Sequence, residues 1–131
     1  MTHKYAPDLL GQALQFRVAM DQPTACFSPS ILDVQSDLIA EETFEFFHAY
    51  DDCLNDLSNV RAREAALKEL ADIVYVCFQF AATAGWELDE ALARVHRSNM
   101  SKLVDGKPLK REDGKVLKGP NYQPPYLTDL I

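Results

Sequence analysis

The chain is poor in the residues that staple or thread a fold. Its three cysteines, Cys26, Cys53 and Cys77, are an odd number at wide spacings, with neither a Cys-x-x-Cys pair nor a Cys/His set. That pattern excludes a disulfide framework and a zinc module and reads as reduced thiols. Basic charge is in deficit, 13 Lys and Arg against 20 Asp and Glu for a net of −7. Nucleic acid is therefore not an expected partner, since non-specific binding to phosphates needs a cationic surface. No run of about 20 apolar residues is present to cross a bilayer; the most apolar stretch, Leu70 to Ala84, is broken by Asp72 and Gln79. Residues Met1 to Asp8 lack the apolar centre of a secretory signal, so a cytoplasmic protein without a membrane partner is expected.

What is present is ordinary globular material. Hydrophobic residues make up 47% and charged residues 25% of the 131, a composition that folds, and a length that suits one domain. Apolar spacing predicts a first helix over Pro7 to Met20 and a second from Ser30, as N-cap with Asp33 as capping-box partner, to about Leu57. A third is predicted from Asn59–Arg61 to Ala84, with Gly85 as its terminator, and a fourth from after Trp86 to before Asp105. Short connections between long helices predict an all-α fold of four-helix-bundle type. Residues 1–104 form the expected helical core. Residues 105–131 form a basic hairpin and extended tail of the same domain, with Asp113-Gly114 predicted as a type I′ turn.

The carboxylates sit where solubility does not need them. With Leu38 at the origin of a helical wheel, Glu42 falls at about +40°, Glu45 at about −20°, Ala49 at about +20° and Glu41 at about −60°. Phe44 and Phe47 occupy the opposite side. The third helix repeats the pattern, with Glu69 and Asp72 sharing a side with Val76 and Phe80 while Leu67, Leu70, Ala71, Val74 and Phe78 cover the other. Ionised carboxylates on inward stripes require a compensating cation, either basic side chains such as Arg61, Arg63 or Lys68, or a metal. Two i,i+3 pairs on antiparallel helices would converge as four oxygen ligands, a set suited to Mg²⁺ or, in its place, Mn²⁺. A third helix apolar around most of its circumference also predicts a homo-oligomer, since so short a chain cannot cover it.

At this point the residues carry a resemblance. Glu41-Glu42-Thr43-Phe44-Glu45, followed after 23 intervening residues by Glu69-Leu70-Ala71-Asp72, is similar to the EExxE and ExxD pattern of the all-α nucleoside triphosphate pyrophosphohydrolases. The segments Lys68 to Val76, Val95 to Lys102 and Asp113 to Lys118 resemble a MazG-like, dimeric dUTPase-like branch of that superfamily. The resemblance spans roughly residues 31 to 125.

It implies a bundle holding Mg²⁺ on Glu42, Glu45, Glu69 and Asp72. Glu41 would be catalytic, orienting the attacking water or binding a further metal. The implied reaction cleaves a nucleoside triphosphate between the α and β phosphates to give a monophosphate and pyrophosphate, in nucleotide-pool house-cleaning or dUTPase-like work. Asn99 and Lys102 match substrate contacts, Lys115 and Lys118 match phosphate ligands on the tail, and the expected assembly is a homodimer or a dimer of dimers. A tail of this kind folds over bound nucleotide as a lid. Three alternatives stand beside this reading. One is a phosphoribosyl-ATP pyrophosphohydrolase-like enzyme, and another is a non-enzymatic acidic helical interaction protein. The third, a di-iron bundle built on Glu45-Phe46-Phe47-His48, lacks its second Glu-x-x-His.

Overall fold

The computed structural model describes residues 7–131. Its regular structure is α1 (Leu9–Ala19), α2 (Pro29–Asn55), α3 (Val60–Ala84), α4 (Leu88–Met100) and a terminal 3₁₀ turn, Thr128–Leu130. The fold is all-α, as the apolar spacing predicts. None of the helices among the described residues is long and apolar enough to cross a membrane.

Local chemistry explains most of the helix limits. The Asp8 carboxylate accepts from the Gly11 N–H at 2.8 Å and so caps α1, and the Asn59 amide oxygen does the same for Ala62 at the start of α3. Gly85 closes α3 with φ +80°, the left-handed conformation open to glycine at little cost. The second helix differs from expectation at its start. Ser28, not Ser30, stands at the N-cap, without a side-chain cap bond, and Pro29 takes the first helical turn. Proline at that position gives up no helical hydrogen bond and arrives with its φ already set.

The chain divides into two compact units at Trp86–Glu87, which leaves α4 with the C-terminal segment. In the first unit α2 and α3 form an antiparallel hairpin across the short link Asp56–Asn59, and α1 packs on α3. Part of each acidic stripe faces inward, while much of each oily side faces outward. Ala49 is buried and Leu38, Glu42, Glu69 and Asp72 are half-buried, whereas Phe44 is 66% and Leu67 68% exposed.

The buried end of this unit is polar. Arg17, only 1% exposed, donates from Nε to the Pro23 carbonyl at 2.7 Å and from Nη1 to Gln79 Oε1 at 3.2 Å. The Thr83 hydroxyl donates to the Gln79 carbonyl at 2.7 Å. The link between α1 and α2 then supplies N–H groups from Ala25 and Cys26 to the Ala82 and Thr83 carbonyls. Those carbonyls at the end of α3 would otherwise be orphans.

In the second unit the segment after the hairpins is tied to α4 rather than loose. The Ser98 hydroxyl donates to the Gln123 carbonyl, the Gln123 N–H donates to Ser101 Oγ, and the Glu87 N–H donates to the Leu130 carbonyl. The predicted type I′ turn at Asp113-Gly114 is not formed. Gly114 alone is left-handed there, at φ +87°, and its N–H donates to the Arg111 carbonyl. The turn is thus centred on Glu112-Asp113 with glycine as the bulge residue. A two-residue loop with both residues at positive φ does occur at the other Asp-Gly, where Asp105 (φ 51°) and Gly106 (φ 74°) connect the paired Val104 and Lys107.

Candidate metal centre

The α2–α3 hairpin brings three of the four expected ligands together. Glu42 from α2 and Glu69 and Asp72 from α3 each offer a carboxylate oxygen within 4.8 Å of the others. The geometry follows from the sequence: Glu69 and Asp72 lie one turn apart on the side of α3 that meets α2. Glu45, one turn beyond Glu42, is exposed and lies outside this trio, although its charge reaches Glu42. Glu41 is exposed.

Like charges this close cannot all remain ionised without help. Burial raises the Glu42 carboxyl above the usual glutamate range, and the charges of Glu45, Asp72 and Glu69 raise it further. Of the basic residues considered from sequence, Lys68 is the one that pairs. Its Nζ lies 2.6 Å from Asp72 Oδ2 and 3.6 Å from Glu69 Oε1, contacts that raise the ammonium pKa. Lys68 stays exposed on the rim, and its single positive charge is set against three carboxyl groups.

Within the trio, Glu42 Oε2 and Glu69 Oε2 are buried and have no hydrogen-bond partner. A buried carboxylate oxygen without a donor is costly, and one on each helix is the arrangement a divalent cation would relieve. The donors are all hard oxygens with no histidine or cysteine among them, which fits Mg²⁺ or Mn²⁺. His48, the histidine of the Glu-x-x-His alternative, is not among the grouped residues; its ring packs edge-on against Phe44 at 4.5 Å between centroids.

The candidate substrate residues lie in the second unit. Asn99 is exposed near the end of α4, and Lys102 follows it half-buried. Lys115 and Lys118 are exposed on the hairpin and its exit, and the Lys118 ammonium sits 4.8 Å from the centroid of the Tyr122 ring. Sequence reasoning overlooked one strong ion-pair group in this unit. Arg94 donates to Asp129 Oδ1 at 2.6 Å and Oδ2 at 2.9 Å, to Glu90 Oε1 at 3.1 Å and to the Tyr126 carbonyl at 2.9 Å. The i,i+4 spacing of Glu90 and Arg94 is a readable signal for half of it. The contact with Asp129, 35 residues away, is not.

Helices that set Glu42 of α2 against Glu69 and Asp72 of α3 fit a class, the all-α pyrophosphohydrolases. The phosphoribosyl-ATP pyrophosphohydrolase family matches residues 10–99, about two thirds of the chain, and the chain belongs to that family. It is therefore a pyrophosphohydrolase, not the non-enzymatic interaction protein of the alternative reading. The match bears out the all-α pyrophosphohydrolase superfamily that the acidic motifs resemble. No curated protein matches the chain.

Proposed function

We propose that the protein is a Mg²⁺-dependent pyrophosphohydrolase that cleaves a nucleoside triphosphate between its α and β phosphates, releasing a nucleoside monophosphate and pyrophosphate. The observation that carries this reading is the trio Glu42, Glu69 and Asp72, with its two unpartnered buried oxygens. Bound there, Mg²⁺ would neutralise the polyphosphate and acidify a water for attack.

The chain's own residues do the rest. Glu42, Glu69 and Asp72 provide the cation's oxygen ligands, and Glu45 supplies a fourth from the same stripe. Glu41 orients the attacking water and accepts its proton. Asn99 and Lys102 hold the substrate, while Lys115 and Lys118 balance phosphate charge as the pyrophosphate departs. A homodimer or dimer of dimers would cover the aromatic and aliphatic sides of α2 and α3, and we place the enzyme in the cytoplasm.

The family match favours a second reading of the substrate, phosphoribosyl-ATP. It carries a 5′-triphosphate with the same scissile bond, so one site chemistry serves both. A panel of nucleoside triphosphates and phosphoribosyl-ATP, assayed for pyrophosphate release with Mg²⁺ and with Mn²⁺, decides between them. Pyrophosphate from phosphoribosyl-ATP alone would assign the second reading. Release from none of them would overturn the proposal.

A further inference from the structure

The C-terminal segment runs back along α4 with contacts spaced over its whole length. At the far end, Gly119 passes so close to the end of the helix that a Cβ there would lie 3.0 Å from the Lys102 carbonyl oxygen and 2.6 Å from Val104 Cγ2. Next, Gln123 is bonded through its N–H and C=O to Ser101 and Ser98. Arg94 then grips the Tyr126 carbonyl and both oxygens of Asp129, and Leu130 is buried with its carbonyl on the Glu87 N–H. The two-pronged arginine–carboxylate contact is the strongest of these, being charge-assisted and fixed in direction. It is matched by a lowered Asp129 pKa and a raised Arg94 pKa, each caused first by the other's hydrogen bonds.

This register decides where Lys118 stands. It is one residue before the glycine that touches the Lys102 carbonyl, so the strap brings the backbones of two cationic residues together at the end of α4. Both carry cationic side chains, the Lys118 ammonium lying over the Tyr122 ring, and a polyphosphate is the partner chemistry that two neighbouring lysines would take.

We propose that Arg94 is a positioning residue for nucleotide binding: by clamping Tyr126 and Asp129 it holds the strap in register, so that Lys118 is presented with Lys102 to the polyphosphate. This inference rests on the reading of the enzyme as a nucleoside triphosphate pyrophosphohydrolase. Arg94 does not touch the reacting atoms. Its removal acts on binding through the tail, and Gly119→Ala, which pushes the strap off the Lys102 carbonyl with the clamp intact, acts in the same direction.

The test measures equilibrium binding of an α,β-methylene nucleoside triphosphate with Mg²⁺, alongside kcat and KM for the hydrolysable nucleotides, in the full-length protein. Arg94→Met, Asp129→Asn and Gly119→Ala are each expected to weaken binding and raise KM about tenfold while kcat changes less than about twofold. The Arg94→Met/Asp129→Asn double variant binds no more weakly than Arg94→Met alone, because both lose one clamp. Hydrogen exchange at the Gln123 amide, slow in wild type, becomes fast in Arg94→Met. Unchanged binding in both clamp variants, or a loss confined to kcat, overturns the positioning role, as does a wild-type protein that does not bind the analogue. A wild type that binds the analogue but releases no pyrophosphate overturns the proposed reaction instead, and the binding series still decides the role of Arg94.

Discussion

Glu42 on α2 and Glu69 on α3 face one another with carboxylate oxygens within 4.8 Å, and each keeps a buried oxygen without a hydrogen-bond donor. Phe44 and Leu67 on the same two helices are exposed, while these acids are turned inward. That arrangement weakens the metal-free fold and makes it responsive to cations and protons.

The pH dependence follows from the direction of the Glu42 shift. A carboxyl whose folded pKa lies above its ordinary 4.5 binds a proton more tightly folded than unfolded, so it penalises the fold at neutral pH and the penalty fades as pH falls towards 4.5. Glu90, Asp129 and Asp113, held low by Arg94 and Arg111, work the other way. Their contribution is lost only as pH falls below their ordinary values and through their lowered folded pKa values. Thermal melts without divalent cations should therefore show Tm rising from pH 7 towards pH 5. Saturating Mg²⁺ should raise Tm at pH 7 and flatten that slope. Glu42→Gln should remove the slope and stabilise the metal-free protein.

A cation bound as proposed would compete with Lys68 for Asp72 and Glu69, since the lysine Nζ stands 2.6 Å from Asp72 Oδ2. Lys68→Gln should lower metal-free stability slightly and tighten Mg²⁺ binding severalfold, read by calorimetry. Weaker Mg²⁺ binding in this variant would show that the lysine assists the site rather than competing for it.

Gly85 is constrained twice, by its φ of +80° and by an added Cβ lying 3.2 Å from Ala25 Cα. Gly85→Ala should cost about 1–2 kcal/mol from the left-handed conformation alone and lower Tm by several degrees. Gly114, also left-handed at φ +87° but with open space around it, should cost less when changed to alanine.

The exposed sides of α2 and α3 include Phe47, Leu70 and Val74, and in the proposed oligomer a second copy of the chain would cover them. Each such side chain contributes roughly 1.5–3 kcal/mol when fully buried. Light scattering should give a multiple of 14.8 kDa, and Phe47→Glu with Leu70→Glu should lower it. A wild-type mass of one chain at micromolar concentration would remove the oligomer from the account.

The helices and the acid pairs were legible because both rest on short periodicities. Glu42 with Glu45 and Glu69 with Asp72 are i,i+3 spacings, and the site follows once α2 and α3 form a hairpin. The type of each turn was harder to read, since Asp105-Gly106 and Asp113-Gly114 share a dipeptide and differ in how many residues the flanking pairs leave between them. The strap was not legible at all. Arg94 meets Asp129 through a register that depends on the close approach of Gly119 and on the hairpins before it, none of which has a periodic signature.

The most direct test of the metal-site account follows the products of nucleoside triphosphate turnover by ³¹P NMR, for wild type and Glu69→Gln, with Mg²⁺ and after its removal. Wild type with Mg²⁺ should yield monophosphate and pyrophosphate, none should form after chelation, and the folded Glu69→Gln variant should lose at least about a hundredfold in turnover, on the order expected when a transition-state charge loses its stabilisation. A diphosphate with inorganic phosphate as products, or undiminished turnover in Glu69→Gln, would contradict it.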